Sequence, residues 1–215
     1  MHAGPLPTGR SSSTQVPMDR PVNADAALAL LLRVIQLKFL PRTGWIMRGI
    51  ADAESISDHT FGVAFIALIL AQMTERPVDT AKLLTLALLH DLPEVVLGDI
   101  PSPASDYLPT EAKATAEREA LDVLLGELPR RETWEVWWRE LEERTSLEGK
   151  LVHDADRLDM LLQAHVYEQT RGNRWLEEFW EEVSEDAFEC EASRSLFAAL
   201  WELRGRAGGG RREMG

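Results

Sequence analysis

The sequence predicts an all-α protein, and three observations carry that reading. Apolar residues recur every three or four positions between 28 and 200, the period of a helix that buries one face. There is no two-residue Asn-Gly or Asp-Gly hairpin signal, and no run of Val, Ile and Thr alternates with polar residues. Pro41, Pro93 and the Gly- and Pro-containing stretch 98–103 fall between the periodic segments, where helices would end.

In chain order, Asn23 or Asp25 can cap a first helix carrying Leu28, Leu31, Leu32, Ile35 and Phe39, and Pro41 ends it. A loop over 42–56 follows. Ser57 is the expected cap of a second helix reaching about residue 74, apolar on most sides and therefore expected to be buried. A third helix runs from Asp79 to His90-Asp91 and breaks at Leu92-Pro93, because the residue before proline avoids the helical region. Further helices are expected over 110–128, 131–143, 147–170, 174–183 and 185–203. Residues 1–22 and 204–215 read as mobile tails around one helical domain, 23–203.

The 215 residues suffice for one domain with a sizeable core. With 23 basic against 36 acidic side chains, the net charge is −13. That balance argues against a long nucleic acid or an anionic membrane as partner, while leaving room for a small phosphorylated ligand. A single cysteine, Cys190, excludes an internal disulfide, and its acidic neighbours Glu189 and Glu191 do not activate it. The first 22 residues lack the apolar run of a signal peptide, and the apolar stretch 61–73 is short for a bilayer span of roughly 20 residues. A soluble cytoplasmic protein is the expectation.

The histidines carry the chemical signal. His90 and Asp91 end a strongly apolar helix, His59 opens another, and Asp154 and Asp156 lie within a third. Residues two apart on a helix point about 200° apart, so Asp154 and Asp156 serve different targets, with Asp159 and Gln163 on the side of Asp156. Two readings fit: hydrogen-bonded polar residues at the core edge, or two imidazoles and two carboxylates holding a first-row divalent ion.

The ordered set His59, His90-Asp91 and Asp156 resembles the signature of the HD-domain superfamily of metal-dependent phosphohydrolases. The stretches Arg42-Thr43-Gly44-Trp45, Glu54-Ser55-Ile56-Ser57-Asp58-His59, His90-Asp91-Leu92-Pro93-Glu94, Gly98-Asp99-Ile100-Pro101 and Asp154-Ala155-Asp156-Arg157-Leu158-Asp159 are similar to one branch. That branch comprises the bacterial 5′-deoxynucleotidases and relatives of HD-domain-containing protein 2, and the similarity spans roughly residues 28–180.

The resemblance implies a compact multi-helix HD-domain fold, often a homodimer. It implies one divalent ion per chain (Mn, Fe, Co, Ni, Zn or Mg) on His59, His90, Asp91 and Asp156. It gives Asp91 and Glu94 catalytic roles, Glu94 as acid/base, and it puts Arg42, Trp45 and Asp99 at the substrate. Arg48 is a second cation for phosphate. Thr43 and Gly44 separate the arginine and tryptophan that are adjacent in the bacterial nucleotidases. The implied reaction removes the 5′-phosphate of a (deoxy)nucleoside monophosphate with water activated by the metal. The alternatives are hydrolysis of another nucleotide or a phosphodiester at the same site, or an idle helical protein that binds a partner.

Overall fold

A computed structural model describes residues 22–101, 104, 107–126 and 128–209. The helices are α1 (Ala24–Val34), α2 (Thr43–Met47), α3 (Ile56–Met73), α4 (Thr80–Leu89), α5 (Glu94–Leu97), α6 (Thr110–Leu125), α7 (Arg131–Glu142), α8 (Leu147–Arg171), α9 (Glu177–Glu181) and α10 (Glu191–Gly209). Three 3₁₀ turns, Ile35–Lys38, Arg174–Leu176 and Glu185–Ala187, join them. No strand occurs among the described residues, and the all-α expectation holds. The expected N-terminal tail lies outside the described residues.

Helix α3 lies against α8 and α4, and α4 packs in turn on α8 and α7. Val63, Ala67 and Leu70 of α3, Leu83 and Leu86 of α4, and Leu151, Leu158 and Leu161 of α8 are wholly buried at the shared seam. Each such leucine contributes about 1.5–3 kcal/mol by leaving water. The three helices that bear His59, His90 and Asp156 are therefore those that the core holds most firmly.

Local chemistry shifts several expected boundaries. Ser55 caps α3, two residues before the expected Ser57, because Asp58 completes a reciprocal box: the Ser55 amide donates to Asp58 Oδ2 (2.9 Å) and the Asp58 amide donates to Ser55 Oγ (3.2 Å). The expected loop 42–56 contains α2. It is pinned to α3 by a lone antiparallel bridge between Pro41 and Ser55, in which the Arg42 amide donates to Glu54 O (3.0 Å) and the Ile56 amide to Leu40 O (2.9 Å). That bridge carries Arg42 to the start of α3.

The expected burial of α3 on most sides is corrected, since Phe61, Phe65, Ile69 and Met73 form an exposed apolar face. The expected helix 174–183 divides into a 3₁₀ turn and the short α9. The expected helix over 185–203 does not begin until Glu191. Buried Asp154 accepts the amides of Glu189 (3.1 Å) and Cys190 (2.9 Å) and fixes the two residues just before α10. The C-terminal tail expected from Arg204 is helical to Gly209. Arg204 bonds Glu168 and Glu177 and stacks on Trp180 at 4.5 Å, which ties the last turns down.

Candidate metal centre

His59 lies in the first turn of α3, where the Ser55 cap orients it, and is wholly buried. His90 caps the C-terminus of α4, and Asp91 follows it into the turn that Pro93 imposes. Asp156 lies on the middle turns of α8. Donor atoms of His59, His90 and Asp91 lie within 4.8 Å of one another, and Asp156 joins them at His59. His59 Nε2 is 3.3 Å from His90 Nε2, 3.4 Å from Asp91 Oδ2 and 3.1 Å from Asp156 Oδ1, while His90 Nε2 is 3.2 Å from Asp91 Oδ2. The Asp156 side chain is 39% exposed and the His59 side chain not at all, so the cluster opens to solvent on the α8 side.

The spacing and chemistry of this set fit a divalent ion. Metal–ligand bonds of about 2.0–2.2 Å place neighbouring donors roughly 3.0–3.5 Å apart, between octahedral and tetrahedral geometry. Both outer ring nitrogens are already engaged. His90 Nδ1 donates to Ala87 O at 2.8 Å, and His59 Nδ1 lies 2.7 Å from Asp159 Oδ2. A carbonyl and a carboxylate can only accept, so each ring keeps its proton on Nδ1 and turns an Nε2 lone pair inward.

The electrostatics agree. Burial and Arg42 oppose a charged His59, yet hydrogen bonds to Asp156 and Asp159 push its pKa up to about 10. Burial disfavours the Asp91 anion, but His90, His59 and Arg42 hold its pKa well below the usual carboxylate range. A site that attracts a proton this strongly attracts a dication to the same lone pairs.

Residues 34–193 match the HD domain family. The chain belongs to that family. It is 37% identical over 186 residues to 5′-deoxynucleotidase HDDC2 of Danio rerio, covering 85% of this chain and 90% of the relative. It is 36% identical to 5′-deoxynucleotidase YGK1 of Saccharomyces cerevisiae, over 69% of this chain and 70% of the relative. The crystal structure of the PH0347 protein from Pyrococcus horikoshii OT3 superposes with a TM-score of 0.68 at 37% identity, covering 83% of this chain and 98% of that one.

Arg42 and Glu94 lie beside Asp91. Arg42 Nη1 donates to Asp91 Oδ2 at 3.2 Å. Burial opposes its charge, but Asp91, Asp156, Asp99 and Glu94 outweigh that and raise its pKa. Glu94 opens α5, and its Oε2 is buried without a hydrogen-bond partner. Burial first, then the charges of Asp91 and Asp99, push its carboxyl up to about 9. A divalent ion beside Asp91 would offset part of that shift and return the group toward neutral pH. Asp99 accepts the Thr43 amide through its carboxylate, and its carbonyl accepts Thr43 Oγ1 at 3.0 Å, so Asp99 is fastened to the N-terminus of α2.

Two residues expected at the substrate make other contacts in this structure. Trp45 is 2% exposed. Its Nε1 donates to Glu54 Oε1 at 2.7 Å, and its ring packs on Tyr167 and Phe179, so it has no free face for a base or sugar. Arg48 is ion-paired with Glu178 at 2.5 Å and lies over the Phe179 ring at 4.9 Å, committed to α9 rather than to a phosphate. The reading of the sequence also passed over Glu54, Gly62 and the contact of Asp159 with His59, three features that crowd the far side of the His59 ring.

Proposed function

We propose that this HD-domain protein is a metal-dependent phosphohydrolase that removes the 5′-phosphate from deoxynucleoside monophosphates, with one divalent ion per chain held by His59, His90, Asp91 and Asp156. The observation that carries the proposal is the cluster of His59, His90 and Asp91, joined by Asp156 at His59, beside the half-buried Arg42 guanidinium and a Glu94 carboxyl whose buried Oε2 lacks a hydrogen-bond partner. When bound, the ion acidifies water and polarises a phosphoryl oxygen. Arg42 presents its fork to the remaining phosphoryl oxygens and offsets the charge that builds on them. Glu94, protonated through burial, gives its proton to the leaving 5′-oxygen as the P–O bond breaks. Asp99, fixed through Thr43, faces the sugar.

The relatives' printed name, 5′-deoxynucleotidase, supports the substrate class. A specific observation favours a second reading of the sugar. With Trp45 buried and Arg48 paired with Glu178, neither marks the sugar, and a ribonucleotide or other phosphoester at the same centre fits equally well. The net charge of −13 suits a small substrate rather than a nucleic acid, in a cytoplasmic setting. The exposed faces of α1 (Leu28, Leu31) and α3 (Phe61, Phe65) suit a homodimer contact, with Phe61 and Phe65 stacked at 6.3 Å.

The test is Asp91→Ala and His90→Ala. Both should lose bound metal and turnover together, measured by elemental analysis and phosphate release. Normal metal content in a folded variant would refute the ligand assignment.

A further inference from the structure

His59 is the most enclosed of the four donors, and what lies behind it is as ordered as what lies before it. Asp159 sits one turn beyond Asp156 on α8, so the two carboxylates share a face and reach opposite nitrogens of one ring: Oδ1 of Asp156 lies at 3.1 Å from Nε2, and Oδ2 of Asp159 at 2.7 Å from Nδ1. The space for Asp159 comes from Gly62, one turn after His59 on α3. A Cβ at Gly62 would stand 1.9 Å from Asp159 Oδ1 and 2.8 Å from its Cγ, so no other residue fits there while the carboxylate stays in place. Behind both, Glu54 is locked by the Trp45 indole N–H, and its own amide donates to the Tyr167 hydroxyl at 2.9 Å.

Glu54, His59 and Asp159 together could be mistaken for a second ion site. The ring argues otherwise. An ion on Nδ1 together with one on Nε2 would require loss of the last imidazole proton, and Glu54 Oε1 is already occupied by Trp45.

We propose that Asp159, seated on Gly62, is a positioning residue that keeps the His59 proton on Nδ1 and so presents Nε2 to the ion. This rests on the metal-dependent reading of the site. A carboxylate can only accept, which fixes the tautomer. An amide in its place can rotate and donate to Nδ1, and the ring then carries its proton on Nε2, where it cannot ligate.

The experiment uses the full chain, stripped with chelator and titrated with Mn²⁺ against a competing chromogenic chelator. Asp159→Asn should bind Mn²⁺ roughly 10–100-fold more weakly than the unsubstituted chain. At saturating Mn²⁺ its kcat should recover most of the unsubstituted value, a split that general destabilisation does not produce. Gly62→Ala should weaken Mn²⁺ binding in the same direction by displacing the carboxylate. Should neither variant fold, the Zn²⁺-loaded unsubstituted chain still decides the matter: long-range ¹H–¹⁵N correlations should show the His59 proton on Nδ1. Unchanged Mn²⁺ affinity in Asp159→Asn, or a His59 proton on Nε2 in the Zn²⁺ form, overturns the positioning role and leaves the metal centre standing. An unsubstituted chain that binds neither ion overturns both.

Discussion

Glu94 differs from the other acids around the centre because its Oε2 has no partner and its carboxyl is pushed up to about 9. Replacing it with glutamine keeps the volume and removes the exchangeable proton. Glu94→Gln should retain bound metal and lose roughly 10²–10⁴-fold in kcat, the usual span for a missing acid/base. A kcat within twofold of the parent would return Glu94 to a helix-start role. Cys190 shows the opposite use of burial. Desolvation, then Asp154 and Glu189, push its thiol up to about 12. Its alkylation by iodoacetamide at pH 8 should be at least about tenfold slower than that of a free cysteine peptide. Equal rates would place the thiol in water.

The residues legible in the sequence were those whose type is costly in an apolar helix: His59, His90, Asp91 and Asp156. Asp159 was visible on the right face, but its partner lies 100 positions away, and one helix pattern cannot reveal a contact with another. Trp45 misled for a related reason. An aromatic residue near an arginine suits a stacking surface or a core equally, and only packing against Tyr167 and Phe179 decides between them.

At the scale of elements, the long helices were legible because their apolar period and caps agree. Asp79 and Ser146 cap α4 and α8, and Gly172, in the left-handed region at φ 62°, ends α8. The short pieces were not, since α2 and the segment 174–190 are shaped by tertiary contacts. Asp154 is the clearest such contact: its carboxylate replaces the helix that local propensity favours just before α10. Asp154→Ala strands two amides and should cost about 2–3 kcal/mol in urea unfolding, with metal content unchanged. A loss below about 0.5 kcal/mol would mean that water satisfies those amides. Trp134 and Trp137 of α7 pack half-buried against the core. Trp138 and Leu141 are buried on the inner face of α7, as core side chains.

At the scale of the whole molecule, the metal centre doubles as a pH-dependent element of stability. Among the groups raised in the folded chain, two stand out: His59, from 6.5 to about 10, and Glu94, from 4.5 to about 9. For both, the stabilising contribution is complete below the unfolded value and is lost as pH rises through the folded one. The depressed Asp91 and Asp156 act at the acid end, where their contribution is lost as pH falls below their ordinary 3.8. Chelator-stripped protein should therefore lose stability between about pH 4.5 and 10 in urea melts, most steeply above 6.5 where both groups contribute. Metal-loaded protein should lose less, because an ion on Nε2 replaces the proton. Parallel curves for the two forms would remove the ion from this site.

If the clustered donors hold the ion, nucleotide hydrolysis by this chain depends on it. The direct test is phosphate release from ribo- and deoxyribonucleoside 5′- and 3′-monophosphates by chelator-stripped protein, with Mn²⁺, Co²⁺, Zn²⁺ or Mg²⁺ restored singly. Release is expected only with added metal and only from 5′-monophosphates, deoxyribonucleotides leading. Release that needs no metal, or none from any 5′-monophosphate with any ion, would contradict that expectation.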